Sequence, residues 1–160
     1  DILPDGPASG KTVELIRNMV VKEHNQDLLL LSALSPHWLA AGKVIEGEGL
    51  PTEFGPLTLK VTADAGGWRV DLSHRFWQQP KRVILSIPWF YEAEQVLVDG
   101  KEVRPSSGKV LIPLAARQIR VSGRFKSGTP AMSFEQAVAD YRREYGRRYE
   151  EFLRTGQTGR

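Results

Sequence analysis

Three histidines, His24, His37 and His74, are the side chains in this 160-residue sequence whose type most often supports metal binding or proton transfer. They lie far apart along the chain and form no ligand-spaced pair, whereas zinc sites normally use three or four ligands. The sequence contains no cysteine, which excludes disulfides, cysteine-ligated zinc and thiol nucleophiles. We interpret His74 as a strand-end histidine in a polar rim, and we expect neither a metal nor a cofactor.

Carboxyl groups are the next candidates for chemistry. Glu46, Glu48 and Glu53 cluster around glycines and a proline, and Glu92 and Glu94 follow an aromatic run. A glycosidase needs two carboxyl groups that face each other across a sugar, one of them with a raised pKa. Glu46 and Glu48 fall on the solvent side of a period-two pattern. No nucleophile elbow, phosphate-binding loop or dinucleotide fingerprint occurs, so we expect no catalytic residue in this chain.

Aromatic side chains are the remaining candidates for ligand binding. Trp77, Trp89 and Tyr91 lie at predicted strand ends, where exposed rings can stack on sugars. These three are the candidate carbohydrate-binding residues, although packing or docking on a neighbouring domain is the favoured interpretation. Trp68 alternates in phase with apolar neighbours and is predicted to lie in the core. Trp38 follows a Ser-Pro-His sequence and is interpreted as a turn or interface residue.

Charge and hydropathy limit the classes of partner. The formal net charge is only +3, and the arginines of the last third are interleaved with glutamates. A nucleic-acid surface usually shows a less compensated basic stripe. No apolar run approaches the roughly 20 residues that span a bilayer. We therefore expect neither a nucleic-acid partner nor a membrane partner.

The first segment, residues 1–26, is predicted to contain a linker and one helix. Val13, Ile16 and Val20 recur at helical spacing, and Ser9 or Thr12 could cap the helix. The apolar face of this helix is too broad for one isolated helix to bury. The helix is therefore expected to pack against the following domain or against something upstream.

The middle segment, residues 27–126, is predicted to form about seven short strands. Apolar and polar residues alternate over residues 57–62, 68–73, 83–87 and 119–125, and shorter strands are expected over 28–34, 96–98 and 110–114. Asp99-Gly100 predicts a two-residue type I′ turn, because both residues tolerate a positive φ. The sequence therefore indicates a mainly β protein: an antiparallel β-sandwich with an N-terminal helix and a C-terminal helix.

The last segment, residues 127–160, is predicted to be a helix followed by a disordered tail over residues 155–160. Ser133 and Gln136 fit a capping box. Aromatic and apolar residues follow one side of the helix at Phe134, Val138, Tyr141, Tyr145, Tyr149 and Phe152. We predict that this helix packs on the sandwich through its first four stripe residues.

The order of five segments resembles the end of a known family. These are residues 15–20 (Leu-Ile-Arg-Asn-Met-Val), 27–31 (Asp-Leu-Leu-Leu-Leu), 35–43 (Ser-Pro-His-Trp-Leu-Ala-Ala-Gly-Lys), 49–57 (Gly-Leu-Pro-Thr-Glu-Phe-Gly-Pro-Leu) and 96–103 (Val-Leu-Val-Asp-Gly-Lys-Glu-Val). Together they resemble bacterial glycoside hydrolases built on an (α/α)6 toroid, including relatives of the α-L-rhamnosidases. In that family, the last helix of the toroid leads into a C-terminal β-sandwich.

The resemblance implies a role for residues 11–125 but no catalytic residue, because the family's catalytic carboxylates lie in the toroid. The first helix would be a remnant of the catalytic domain, and the sandwich would pack on that upstream domain of the same polypeptide and stabilise it. Two alternatives stay open: a carbohydrate-binding module that binds a glycan through its loop aromatics, and a protein-interaction domain that docks through the C-terminal helix. The compartment also stays open, with export of the parent to the periplasm or the cell exterior among the options.

Overall fold

The structure, a computed structural model, describes residues 6–129 and 134–156. The chain divides into two compact units, Asp1–Thr129 and Pro130–Arg160. The first unit contains helix α1 (Gly6–Val20), a short 3-10 helix (Pro36–Leu39) and strands β1 Val21–His24, β2 Asp27–Leu30, β3 Val44–Leu50, β4 Leu57–Asp64, β5 Gly67–His74, β6 Arg82–Ser86, β7 Tyr91–Val98, β8 Lys101–Glu102, β9 Lys109–Ile112 and β10 Gln118–Phe125. The second unit contains helix α2 (Phe134–Thr155).

The smaller of two sheets has the strand order β1-β2-β6-β9. β1 and β2 form an antiparallel hairpin, and Asn25 in its turn has a φ of 55°. β2 and β6 pair in parallel, although about 50 residues separate them in the sequence. Arg82, at the start of β6, donates to both carboxyl oxygens of Asp27 at 2.9 and 3.1 Å. This ion pair joins the starts of the two parallel strands.

The larger sheet has the order β3-β4-β5-β10-β7-β8, and all its neighbouring strands are antiparallel. Burial alternates along β4, since Leu57, Leu59 and Val61 are buried while Lys60 is only half-buried. This period of two turns one face of the sheet towards the core and the other towards solvent. Trp68 on β5 is fully buried in phase with that face, which confirms the predicted core position.

The core lies between the inner faces of the two sheets, as expected for a β-sandwich. The buried cluster draws on both sheets, with Val21, Leu28, Leu30, Val83, Leu85, Val110 and Ile112 from the smaller one and Leu57, Leu59, Val61, Ala63, Trp68, Val70, Leu72, Tyr91, Val96, Val98, Ile119 and Val121 from the larger one. The predicted fold class, a mainly β sandwich with a helix at each end of the sequence, is confirmed.

The Asp99-Gly100 turn has the predicted geometry. Asp99 has a φ of 47° and Gly100 a φ of 78°, and Val98 pairs with Lys101 across the turn. The Asp99 carboxylate also accepts hydrogen bonds from the backbone N–H groups of Arg117 and Gln118 at 3.0 and 2.8 Å. The turn therefore joins β7 and β8 and also fixes the start of β10.

Three details differ from the sequence-based expectations. Helix α1 begins at Gly6, so Ser9 and Thr12 lie inside it and the cap predicted there is wrong. Pro7 suits the first turn, because a helix N-terminus needs no N–H donor at that point. Strand β1 occupies residues that were assigned to the helix and linker, and β2 pairs with β6 in parallel within the otherwise antiparallel architecture.

Helix α2 confirms the predicted C-terminal helix, but it includes Thr155, so the tail predicted to begin at that residue was placed too early. Its tyrosines form a stacked row, with ring centroids 6.3 Å apart for Tyr141 and Tyr145 and 6.4 Å apart for Tyr145 and Tyr149. Ser133 of the predicted capping box and residues 157–160 of the predicted tail lie outside the described residues. The docking of α2 on the sandwich stays a prediction.

Candidate functional site

Helix α1 runs directly into strand β1 without a connecting loop, because Val20 ends one element and Val21 begins the other. The carbonyl groups at the helix end are paired by the segment that follows β2. The N–H of Leu31 donates to Val20 O at 2.7 Å, and that of Ala33 donates to Met19 O at 3.2 Å. These bonds satisfy carbonyls that a helix end otherwise leaves without partners, so the last turn of α1 is fixed to the sandwich.

An ion pair provides a second attachment at the same turn. The Arg17 guanidinium on α1 makes a two-pronged contact with the Glu23 carboxylate on β1. Arg17 also donates to Pro51 O at 2.5 Å, and the N–H of Glu53 donates to the Glu23 carboxylate at 3.1 Å. We call Arg17, Glu23, Pro51 and Glu53 the helix anchor, because they join α1, β1 and the loop between β3 and β4.

Glu23 is held in its charged form. Burial of the carboxyl group by itself raises its pKa, but the hydrogen bonds from Arg17 and from the N–H groups of Glu23 and Glu53 outweigh that effect, and the pKa is lowered. The side chains of Arg17 and Glu23 are 21% and 13% exposed. An ion pair shielded in this way contributes more than a surface pair that water screens.

The Pro-Thr-Glu-Phe-Gly turn, residues 51–55, connects the helix anchor to Trp77. The Thr52 hydroxyl accepts the N–H groups of Phe54 and Gly55 at 3.2 and 3.1 Å. Gly55 has a φ of 132°, and a side chain there would meet Arg75 O at 2.5 Å, so only glycine fits. The Trp77 indole N–H donates to Glu53 O at 3.1 Å. The turn belongs to one of the segments that resemble the glycoside hydrolases, and it lies beside α1.

Residues 9–16 of α1 include exposed apolar side chains. Val13 is 68% exposed, Leu15 63% and Ile16 50%, and residues 9–16 are all exposed. We call Val13, Leu15 and Ile16 the exposed helix face. A 15-residue helix is marginal in water unless an apolar face is packed, and clustered apolar side chains on a surface mark interaction sites.

An apolar groove borders α1 on the side of strand β3. It has a volume of about 350 Å³ and is lined by Ile16, Val20, Trp38, Val44 and Ile45, together with His37 and Lys43. Val44 is 53% exposed although it is β-branched and apolar. Trp38, predicted to be a turn or interface residue, lies in the 3-10 helix at this groove.

A second groove borders the last turn of α1 on another side. It has a volume of about 460 Å³ and is lined by Met19 and by residues 31–35 and 86–89. Trp89 is 75% exposed and packs edge-on against the buried Phe90. The last turn of α1 therefore stands between two apolar grooves, each of which contains a tryptophan.

The structure does not bring the three carbohydrate-binding candidates together. Trp77 follows β5 beyond the start of β10, whereas Trp89 precedes β7 beyond the end of β10. The two ends of the eight-residue β10 are roughly 23 Å apart. Tyr91 is only 5% exposed and packs edge-on against Trp68, and burial raises its pKa. Only Trp77 and Trp89 offer exposed rings, and they do so at opposite ends of the larger sheet.

The histidines and carboxylates show no catalytic grouping in the part of the chain that the structure describes. His74 lies at the end of β5, stacks on Phe76 at 4.0 Å and contacts Leu114 O at 2.8 Å through Nε2. Glu46 and Glu48 are exposed on β3, as predicted, and Lys60 pairs with Glu46 at 3.1 Å. Among residues 6–129 and 134–156, no three His, Asp or Glu side chains form a group that could hold a metal ion.

Every carboxyl group in the described residues whose pKa departs from its ordinary value has a lowered pKa, and each of these groups contacts a lysine or an arginine. Arg82 lowers the pKa of Asp27, and Arg120 lowers that of Asp64. Such groups are stabilised anions and not the proton donors that glycoside cleavage requires. None of the described helices is long and apolar enough to cross a membrane.

Comparison with known proteins found no matching family model, no matching curated protein and no matching solved structure.

Proposed function

We propose that this chain is a non-catalytic accessory β-sandwich that packs, through helix α1, on a catalytic domain of the same polypeptide. The resemblance described above suggests that this domain is the (α/α)6 toroid of a glycoside hydrolase. The observation that carries the proposal is the attachment of α1: its last turn is fixed to the sandwich, while its apolar face is exposed.

Helix energetics support this proposal. Forming a helix costs nucleation entropy, and most helical stability in proteins comes from packing an amphipathic face. The described residues cover the exposed helix face only in part, since Val13, Leu15 and Ile16 are all at least half exposed. A neighbouring domain that covers these side chains would supply the missing stabilisation.

The surroundings of α1 also suit an interface between domains. Two apolar grooves with Trp38 and Trp89 flank its last turn, and tryptophan is enriched at the centres of protein interfaces. The helix anchor holds α1 to β1 and to the turn of residues 51–55, whose Glu53 O accepts a hydrogen bond from the Trp77 indole. A helix shared between the two domains would therefore transmit its orientation to the sandwich through charged and hydrogen-bonded contacts.

The test compares Val13→Gln with Lys11→Gln in two proteins, this chain alone and the full-length gene product that contains it. Both sites are exposed on α1, but only Val13 belongs to the exposed helix face. We expect Val13→Gln to lower the free energy of unfolding of the full-length protein by about 1–2 kcal/mol, because it removes buried apolar area. In this chain alone the change should stay within about 0.5 kcal/mol.

Lys11→Gln is the control, because it removes only a surface ion pair with Glu14 and should change neither protein measurably. Equal effects of Val13→Gln in the two proteins would overturn the docking of α1. An intact mass of the natural gene product close to that of this chain would also overturn the proposal. We expect the full-length protein to have glycosidase activity, which tests whether its catalytic domain is a glycoside hydrolase. Neither substitution should change kcat/KM, because neither residue is catalytic.

A further inference from the structure

The sequence of α2 is nearly symmetric about Tyr145. Residues 141–149 are Tyr-Arg-Arg-Glu-Tyr-Gly-Arg-Arg-Tyr, so the tyrosines lie at −4, 0 and +4 from the centre and arginine pairs lie at ±2 and ±3. Val138 and Phe152 extend the pattern at −7 and +7. An antiparallel copy of this helix would meet the same order of side chains from either direction.

These symmetric apolar positions form one stripe, which is exposed from Tyr141 to Phe152 and half-buried at Val138. With 3.6 residues per turn they fall within about 40° of Tyr145 on the helix circumference. Tyr141 is 70% exposed, Tyr145 60%, Tyr149 52% and Phe152 44%. We call Val138, Tyr141, Tyr145, Tyr149 and Phe152 the tyrosine stripe. Rows of stacked aromatic rings bring large contact area at low conformational cost when they are covered.

The other side of α2 carries ion pairs that stabilise the helix. Arg147 contacts Glu144 at 2.8 Å and Glu151 at 3.3 Å, and Arg143 contacts Asp140 at 3.2 Å. Each pair at these spacings adds a small stabilisation to a helix. The helix can therefore present its stripe as a continuous surface.

The charges next to the stripe fit an antiparallel copy. In a pair centred on Tyr145, the residue at position i lies level with position 290 − i of the other copy. Arg148 of one helix then lies within about 3 Å, along the axis, of Glu144 of the second copy. Glu144 already pairs with Arg148 of its own helix at 2.7 Å. In the pair of helices, the Glu144 and Arg148 side chains of both copies would therefore form one cluster of alternating negative and positive charges.

We propose that α2 is a homodimerisation helix that pairs with α2 of a second copy of this chain in an antiparallel, two-fold symmetric arrangement. Tyr145 packs on Tyr145 at the axis, Tyr141 on Tyr149, and Val138 on Phe152. Such an interface is isologous, because each copy contributes the same surface. This inference does not depend on the proposed role of α1, since it concerns the second unit alone.

The first test is the oligomeric state measured by sedimentation velocity from micromolar to submillimolar concentration. The unmodified chain should show a concentration-dependent monomer–dimer equilibrium. Tyr145→Glu should weaken dimerisation by at least about tenfold, because it places a charge at the centre of the interface. Ala139→Glu introduces the same charge at an exposed position on the far side of the helix, and it should change the dimerisation constant by less than about twofold.

The second test identifies the orientation and uses the absence of cysteine from the chain. In an antiparallel pair the two copies of position 145 meet, so Tyr145→Cys should form a disulfide-linked dimer under mild oxidation. Val138→Cys and Phe152→Cys should each remain unlinked alone, because their symmetry mates lie about 21 Å apart along the axis. An equimolar mixture of these two variants should give the mixed disulfide.

Other outcomes would overturn the proposal. A chain that stays monomeric at submillimolar concentration would show that the stripe does not bind a second copy. Linked homodimers of Val138→Cys and Phe152→Cys would indicate a parallel pair. A monomer whose stripe tyrosines are protected from solvent would show that α2 packs on its own sandwich, and a complex of fixed stoichiometry with a different protein would assign the stripe to that protein.

Discussion

Glu23 is the single residue on which the attachment of helix α1 depends most. Its carboxylate binds the Arg17 guanidinium of α1 and the N–H of Glu53 in the following loop. Removal of one partner from a shielded ion pair leaves the other charge without compensation. The stability of the first unit should therefore respond to Glu23 more strongly than to any exposed glutamate on β3.

We predict that Glu23→Gln lowers the free energy of unfolding by about 1–2 kcal/mol at neutral pH, because it removes charge-assisted hydrogen bonds. Since the folded pKa of Glu23 lies below its ordinary value of 4.5, the contribution is complete above pH 4.5 and is lost as the pH falls through the lowered value. Urea unfolding at pH 7 and at pH 3 measures both effects. Glu48→Gln, at an exposed site on β3, is the matched control, and equal losses for the two variants would contradict the role of Glu23.

Single residues were predictable where their environment depends on local sequence. Trp68 was assigned to the core by its alternation with apolar neighbours, and Asp99-Gly100 predicted its own turn, since φ preference is a property of the residue. Tyr91 lies at a strand end in the sequence, but the packing of Phe125 and Trp68 around it buries the ring. Arg17 and Glu23 carry no sequence signal of pairing, because their contact depends on the path of the chain between helix and strand.

At the scale of elements, α2 derives its stability from ion pairs along one side. Glu144 accepts hydrogen bonds from Arg147 and from Arg148, and these bonds lower its pKa to about 2. All these groups are exposed, so each pair contributes little by itself, and the helix depends on their combination. Acid should therefore lower the stability of the helix more than the replacement of any one charged residue by a neutral one, because acid removes several ion pairs at once.

The pH dependence of α2 follows from the lowered pKa of Glu144. The stabilisation is complete above the ordinary value of 4.5 and is lost as the pH falls through about 2. The helical content of residues 134–155, measured by backbone chemical shifts in dilute protein, should be constant from pH 7 to 4.5 and decrease below that. Glu144→Gln should flatten this dependence, whereas Glu150→Gln should leave it unchanged. A dependence that persists in Glu144→Gln would contradict the assignment.

Strands with an alternating pattern were the elements that the sequence predicted best. β4 and β5 alternate apolar and polar residues over their whole length, because one face packs in the core and the other meets solvent. Strand β1 was not separated from α1, since Val21 continues the apolar spacing of the helix and no turn residue intervenes. The parallel pairing of β2 with β6 was also not predictable, because it joins strands that are distant in sequence. It also requires the intervening strands β3, β4 and β5 to belong to the other sheet.

At the scale of the whole molecule, the sandwich buries its own apolar core, whereas helix α1 leaves apolar side chains exposed to solvent. The buried cluster joins both sheets and includes fully buried Trp68 and Phe90. The exposed helix face stands outside that cluster, and Ile16 of that face borders the groove that contains Trp38. The sequence indicated that the apolar face of this helix was too broad to be buried alone, and the structure locates the uncovered residues and the surfaces that adjoin them.

The candidate site was predictable in kind but not in position. The width of the apolar face on α1 and the resemblance to sandwiches that follow a toroid both indicated docking. The sequence could not show that residues 51–55 lie beside α1, because a hydrogen bond between Arg17 and Pro51 O spans 34 residues of chain. The separation of Trp77 and Trp89 depends on strand register, which only the assembled sheet defines.

Hydrogen exchange of the α1 backbone amides is the measurement that tests the central claim most directly. In this chain alone, the amides of residues 9–16 should exchange within about tenfold of the rate of an unstructured peptide, because local opening of an unpacked helix costs little. In the full-length gene product, the account predicts slowing of the same amides by at least about a hundredfold, as the neighbouring domain covers Val13, Leu15 and Ile16. Equally fast exchange in both proteins, or strong protection already present in this chain alone, would contradict the claim that α1 packs on a neighbouring domain.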